Sequence, residues 1–218
     1  MTEFRDVKIE SPNLHLASGM PGSGKTVLAF SIADRIHAET GKPIYVAVGE
    51  SQAGLPMNAP KWIHPQRGFD YPLDSVIIVD DAHLVAHARR FMSNANVYLD
   101  GLHGTLRHDD NDYIYDTQTL RALDANNILR SNYRWYKKPY SMDAKMGRPE
   151  LIDELTEASK IPDYPETSLK SAYLAAETFD YKFSGRVAGI PLPKYWSSEW
   201  SVMHRRSPGI VGRITRIF

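Results

Sequence analysis

The sequence predicts an α/β fold: a mostly parallel sheet flanked by helices, with a small C-terminal extension. Three observations carry that expectation. Short apolar strands alternate with helical stretches over residues 1–140. A glycine-rich turn, Gly19-Met20-Pro21-Gly22-Ser23-Gly24-Lys25-Thr26, lies between one such strand and the helix that follows it. Four β-branched residues, Val76-Ile77-Ile78-Val79, lead into the paired carboxylates Asp80 and Asp81. That is the pattern of a buried parallel strand delivering acids to the C-terminal edge of a sheet.

Leu14–Ala17 predicts a short buried strand, and Thr26–Ala38 a helix. Pro43–Val48 predicts a second strand. Residues 49–71 carry Pro56, Pro60 and Pro65 among polar residues and predict a loop-rich stretch. Val76–Val79 is the acid-bearing strand. Ala82–Arg90 and Val97–Leu106 have helical spacing, Tyr113–Thr117 predicts a strand ending at Gln118, Leu120–Leu129 a helix and Tyr133–Lys137 a strand. After Tyr140 the alternation weakens and Pro, Gly and charged residues become frequent. The expected division is a core at 1–140 and an extension at 141–218 packed on or beside it, with helices at Ile152–Ser159 and Leu169–Glu177.

Composition bounds the function. A chain of 218 residues can bury one good core. Lys+Arg and Asp+Glu both number 26, so the formal charge is zero. This excludes a globally basic nucleic-acid coat but permits a local basic surface. The absence of cysteine removes disulfides, zinc ribbons and thiol catalysis and fits a reducing compartment. The N-terminus is charged and is no signal peptide. No apolar run approaches the ~18 residues a spanning helix needs, so a soluble or peripheral protein is expected. Twelve Tyr and four Trp suit partner surfaces, or simply a core.

The glycine-rich turn fits the phosphate-binding loop G-x-x-x-x-G-K-[ST], and it stands where that loop must stand, between strand and helix. Gly19, Pro21, Gly22, Ser23, Gly24, Lys25 and Thr26 are therefore the candidate ATP-binding residues. Backbone N–H groups of the turn can cradle phosphate oxygens, Lys25 can reach the terminal phosphates, and the Thr26 hydroxyl can ligand Mg²⁺. Asp80 is the expected second Mg²⁺ partner, through water. Asp81 is either the carboxylate that orients the attacking water or the N-cap of the helix after it. Gln118, at the end of its strand, either senses the γ-phosphate or is an ordinary strand-end amide.

Charge developing on a transferred phosphoryl group calls for an arginine, which ring ATPases usually take from a neighbouring subunit. Arg130 and Arg107 are the candidates, with Arg134 third; each is otherwise a surface or structural residue. His108 with Asp109, Asp110 and Asp112 has no specific metal spacing and reads as a solvated loop. Arg130, Arg134, Lys137, Lys138, Lys145 and Arg148 interleave with Tyr133, Trp135, Tyr136 and Tyr140. That mixture suits DNA contact by phosphate neutralisation and stacking, or a strand with one charged face. The arginines at 205–216 suit DNA, an anionic membrane surface, another subunit or solvent.

The segment from Leu106 to Gln118, Leu-Arg-His-Asp-Asp-Asn-Asp-Tyr-Ile-Tyr-Asp-Thr-Gln, resembles the R-H…D…T-Q segment of Zot-like phage ATPases. Leu123-Asp124-Ala125-Asn126-Asn127-Ile128-Leu129-Arg130 is similar to the segment that follows it in that group. Leu169–Tyr173 and Glu177–Phe179 resemble its later part more faintly, and the likeness covers roughly residues 10 to 180. It implies a RecA/FtsK-like core of the FtsK–HerA superfamily of DNA-pumping motors. It also implies a homo-oligomer, usually a hexameric ring, with ATP and Mg²⁺ held between subunits. Two departures matter. Asp80-Asp81 stands where Asp-Glu is usual, and the membrane span that filamentous-phage members carry beyond the ATPase domain is not found in these residues.

The chain is therefore closest in character to the small genome-packaging ATPases of corticovirus and tectivirus type. The implied function is ATP-driven packaging of a double-stranded viral genome during virion assembly. The implied place is the virion or the host cytoplasm, or peripherally at the host or viral membrane. Partners at a virion vertex or membrane-associated proteins go with it. The alternatives are an assembly and export ATPase of filamentous phage, a nucleotide-switched scaffold, and a small-molecule kinase. Leu99-Asp100-Gly101-Leu102 slightly resembles thymidine kinases, although the zinc-ribbon type needs cysteines this chain lacks.

Overall fold

The computed structural model describes residues 1–47, 55–67, 70–80, 82, 105–123, 125–139, 148–161, 170–197 and 199–200. Its strands are β1 (Thr2–Glu3), β2 (Leu14–Ser18), β3 (Ile44–Ala47), β4 (Ile63–Gln66), β5 (Val76–Val79), β6 (Asp112–Thr117), β7 (Tyr133–Tyr136), β8 (Ala172–Glu177) and β9 (Lys182–Ala188). Its named helices are α1 (Lys25–Thr40), α2 (Ala125–Leu129) and α3 (Ile152–Ser159). Residues 105–109 are also helical.

The strands form one sheet in the order β1-β9-β8-β7-β2-β6-β5-β3-β4. Among the described strands only β8 runs against the rest, pairing antiparallel with β7 and β9. The central strands are parallel in continuous register, with Leu16 opposite Tyr115 and Ile78 opposite Ile114. Helix residues cover both faces, which is why β2 and β5 are buried at every position and β5 is an unbroken apolar run.

Alternation within the strands sorts the core into two layers. Ala17, Ile78, Ile114, Trp135 and Leu174 face α1 and pack with Leu28, Phe30, Ile32 and Ile36. Leu14, Leu16, Ile77, Val79, Tyr113, Tyr115 and Tyr136 face the opposite way, against Leu106, Ile128, Leu155 and Ala158. Helix α1 begins at Gly24, whose φ of 84° is the left-handed conformation. It ends at Gly41, whose N–H donates to the His37 carbonyl at 2.8 Å.

Several elements differ from the sequence expectation. The predicted helix at 120–129 is a 3-10 turn, Leu120–Ala122, followed by the short α2. The Thr119 hydroxyl caps that turn by accepting from the Arg121 N–H at 3.4 Å. The predicted helix at 169–177 is strand β8. Its alanines favour a helix locally, but sheet pairing on both sides and burial on both faces override that preference. β4 lies in the stretch expected to be loop; it is an edge strand, where Pro65 costs no central ladder bond. β8 and β9 lengthen the sheet beyond β7, and β1 closes on β9. The helices expected over 83–90 and 97–104 lie outside the described residues.

Candidate functional site

The glycine-rich turn leaves the C-terminal end of β2 and opens α1. The Lys137 N–H donates to the Ser18 carbonyl at 2.8 Å, and the Met20 N–H donates to the Lys138 carbonyl at 2.8 Å. The loop is thereby stitched to the chain leaving β7. The Ser23 N–H donates to the Met20 carbonyl at 3.1 Å, and the Leu28 N–H to Gly24 at 3.0 Å starts the helical ladder. Gly19 is the tight point: a Cβ there would lie 2.9 Å from the Lys137 Cβ and 2.9 Å from the Ser23 Oγ. Ser23 Oγ is itself buried without a hydrogen-bond partner among the described residues, a polar group that a phosphate oxygen would meet.

Lys25 folds back over the loop, its Nζ donating to the Met20 carbonyl at 3.4 Å. The same Nζ lies 3.9 Å from Asp116 Oδ1. The Thr26 hydroxyl donates to Asp116 Oδ2 at 3.0 Å. Asp116 is 1% exposed and stands near the C-terminal end of β6, on the strand between the loop strand and the acid-bearing strand. Val79 pairs with Tyr115, so Asp80 emerges from β5 at the level of Asp116. Ser18 pairs with Thr117, so Gln118, half-buried, emerges beside Gly19. Lys25, Thr26, Asp80 and Gln118 thus meet at one edge of the sheet. Asp81 lies outside the described residues. Thr26, Asp80 and Asp116 offer only oxygen atoms, the donor set that suits Mg²⁺.

Asp116 is the residue that sequence reasoning missed. The signal was present: a carboxylate near the C-terminal end of a strand whose middle, Tyr113-Ile114-Tyr115, is aromatic and apolar, the logic that picked out Asp80.

The arginines lie elsewhere. Arg107 precedes β6 and Arg130 precedes β7, so both sit toward the N-terminal edge of parallel strands whose C-terminal ends carry the loop. Both are exposed. Arg134 is not available as a finger: its Nη2 and Nε donate to Glu154 Oε1 and Oε2 at 2.7 and 3.0 Å. Within the basic-aromatic stretch, Tyr133, Trp135, Tyr136 and Lys137 are core residues, so the strand itself offers DNA no surface. Burial pushes the Lys137 amine down to about 7, and its Nζ donates to the Ser171 carbonyl at 2.8 Å. Tyr140, Lys145 and residues 201–218 lie outside the described residues.

The His108–Asp112 segment holds no metal cluster among the described residues. Asp112 is not in a solvated loop but buried at the start of β6, where Lys42 Nζ donates to its Oδ2 at 3.2 Å and to Asp110 Oδ1 at 3.0 Å.

A phosphate loop after one parallel strand, an acid after the next but one, and a polar strand end between them define the architecture. The chain has the P-loop NTPase fold. Solved structures agree. The genome packaging NTPase B204 from Sulfolobus turreted icosahedral virus 2, in complex with ATP-gammaS, overlays with a TM-score of 0.63 at 12% identity, covering 84% of this chain and all of that one. The pCW3 conjugation coupling protein TcpA overlays at 0.58 and 11% identity, covering 85% of this chain and 63% of that one. EssC from Geobacillus thermodenitrificans overlays at 0.53 and 12% identity, covering 83% of this chain and 39% of that one. At 11–12% identity these neighbours share the fold with this chain. No family model matches the sequence, and no curated protein sequence matches it. Among the described residues no helix is long and apolar enough to cross a membrane.

Proposed function

We propose that this protein is a Mg²⁺-dependent ATPase that drives double-stranded viral DNA into a capsid, working as a ring of identical subunits, six by the family habit. The observation that carries the reading is the overlay on a packaging NTPase that covers all of that chain and 84% of this one, joined to a loop in which Lys25 and Thr26 face buried carboxylate.

In this reading the loop N–H groups and the Ser23 hydroxyl hold the phosphates, and Lys25 turns from Asp116 to the terminal phosphate oxygens. Mg²⁺, when bound, neutralises phosphate charge and polarises the γ-phosphoryl group. Thr26 and Asp80 hold it. Gln118 senses the γ-phosphate, and Asp81 orients the attacking water and accepts its proton. Arg130 or Arg107 reaches the site from a neighbouring subunit. The DNA-contacting surface is drawn from exposed basic residues outside β7.

The test is ATP hydrolysis by the purified protein, with and without Mg²⁺, duplex DNA and single-stranded DNA, against Lys25→Ala. Turnover stimulated by duplex DNA and lost in the variant is the expected result. Preference for single strands would favour filamentous export. Nucleotide binding without turnover would favour a nucleotide-switched scaffold, and transfer of phosphate to a nucleoside would favour a kinase.

A further inference from the structure

An apolar hollow of about 830 Å³ lies along α1, between residues 60–62 on one side and residues 191–195 on the other. Phe4, Pro60, Trp62, Pro191, Leu192 and Pro193 form its apolar wall. The Asn58 side chain donates to the Tyr195 carbonyl at 2.9 Å and ties the two sides together. Large apolar side chains stand out around this hollow. Met57, next to Asn58, is fully exposed, Leu192 is 60% exposed and Trp62 42%. The Trp62 ring is held in place by stacking on His37, with centroids 5.3 Å apart. A grouped apolar surface of this kind marks a site of interaction, whereas scattered single residues do not.

Cations sit beside the apolar side chains. Lys61 precedes Trp62, Lys194 follows Leu192 by two residues, and both are exposed. Arg5 lines the same hollow, and its exposed contact with Asp6, at 3.8 Å, is too weak to neutralise it. The acids of the hollow are engaged: Glu39 accepts from Arg35 Nε at 2.9 Å, and Asp34 accepts from the Tyr195 hydroxyl at 2.7 Å. Trp200 donates its indole N–H to the Tyr195 carbonyl, and the sequence that continues from it, residues 201–218, holds four arginines and no acid. Apolar tips flanked by cations fit the boundary of an anionic bilayer. The tips enter the acyl region, an indole sits at headgroup level and ammonium groups meet lipid phosphates. Nucleic acid offers phosphates but no apolar layer for Met57 and Leu192. A second copy docked patch to patch would set like charges against each other. We propose that this patch docks the protein peripherally on an anionic lipid bilayer, with Met57, Trp62 and Leu192 as anchors and Lys61 and Lys194 on the headgroups. It lies along α1, away from the strand ends that carry the nucleotide site and the two arginines, and it is independent of the nucleotide reading.

The test is co-sedimentation of the full chain with vesicles of phosphatidylcholine alone and of phosphatidylcholine mixed with phosphatidylglycerol. Wild type should bind the mixed vesicles, bind the neutral ones far less, and lose affinity as salt rises. Met57→Glu combined with Leu192→Glu should lower partitioning by about tenfold or more. Both positions are exposed, so the melting temperature should match wild type. Brominated lipid should quench Trp62, because Trp135 and Trp200 are fully buried. Trp62→Phe should remove that quenching while binding persists. Wild type that ignores anionic vesicles overturns the proposal. Equal binding by the double variant, or an unquenched Trp62, also overturns it and moves the lipid attraction to other basic residues such as those at 205–216.

A second variant covers the case in which the first does not fold. Lys61→Glu combined with Lys194→Glu keeps the apolar anchors and should abolish the preference for anionic over neutral vesicles; a preference that survives sinks the proposal. Sedimentation without lipid separates the other occupant: an oligomer of wild type that the Met57→Glu, Leu192→Glu variant breaks would make the patch a contact between copies and not a membrane surface. Lys25→Ala should bind vesicles as wild type does, so failure of the patch and failure of the nucleotide site are read separately.

Discussion

Arg134 on β7 and Glu154 on α3 form a two-pronged ion pair, Nη2 to Oε1 at 2.7 Å and Nε to Oε2 at 3.0 Å. Tyr136 adds its hydroxyl to Glu154 Oε2 at 2.6 Å, so one carboxylate ties two strand residues to the helix over them. The pair is only partly exposed, which gives it more weight than a surface bridge. Glu154→Ala should therefore lower unfolding free energy by about 2–3 kcal/mol, read from urea denaturation. Arg134→Ala should lose stability similarly while its turnover per folded molecule stays near wild type. A collapse of turnover with stability intact would restore Arg134 to the catalytic arginines.

Gly19→Ala tests the closeness of the loop to β7. The added methyl would meet the Lys137 Cβ and Ser23 Oγ at 2.9 Å and the Lys138 carbonyl at 3.2 Å. Two of those atoms are too rigidly held to yield cheaply, so the loop itself must shift. The expected cost is about 1–3 kcal/mol of stability, and nucleotide affinity should fall by about tenfold or more. Calorimetric titration of the variant checks both the affinity and, in the same preparation, the folded fraction.

His15 gives the fold an acid limb. It is buried on β2, stacked on Tyr133 with ring centroids 4.5 Å apart, and it accepts from Trp135 Nε1 at 3.5 Å. Burial disfavours the imidazolium and lowers its pKa from 6.5 to about 3. Between those values the unfolded chain binds the proton and the folded chain does not. Stability from this residue is therefore whole above pH 6.5 and drains as pH falls toward 3. Its slope reaches at most about 1.4 kcal/mol per pH unit. His15→Leu should flatten that limb in denaturation curves taken across the window; an unchanged slope would assign the acid loss to other groups.

The parts of the fold that could be read from sequence are those where local pattern and tertiary role coincide. The loop declared itself because Gly19, Gly24 and Lys25-Thr26 each answer a distinct demand of phosphate binding. β5 declared itself because only a strand buried on both faces runs Val-Ile-Ile-Val into carboxylates. β8 did not, because Ala-Tyr-Leu-Ala-Ala favours a helix until two neighbouring strands claim its backbone. The basic-aromatic stretch misled for a related reason. Charge and aromaticity look like a nucleic-acid surface, yet Glu154 takes Arg134 and the sheet takes Tyr133, Trp135 and Tyr136. Asp116 stayed hidden because its meaning depends on which strand lies beside β2, and strand order is not written in local spacing.

Strand order also decides how the remaining arginines can act. Arg107 and Arg130 sit near the N-terminal ends of β6 and β7, and the phosphate loop sits at the C-terminal end of β2, which runs parallel to both. A strand of this length separates them by about 15–20 Å, beyond the reach of an arginine into its own site. If either completes the reaction, it does so in a neighbouring subunit. Arg130→Ala should then lower kcat by about a thousandfold without weakening nucleotide binding, and Lys25→Ala should be inactive because it binds no nucleotide. Mixing the two dead variants should restore turnover, since subunits with an intact loop meet neighbours with an intact arginine. Arg107→Ala in the same mixing assay identifies which arginine serves. Mixtures that stay inactive for both, although the variants assemble together, would mean that neither arginine crosses the interface.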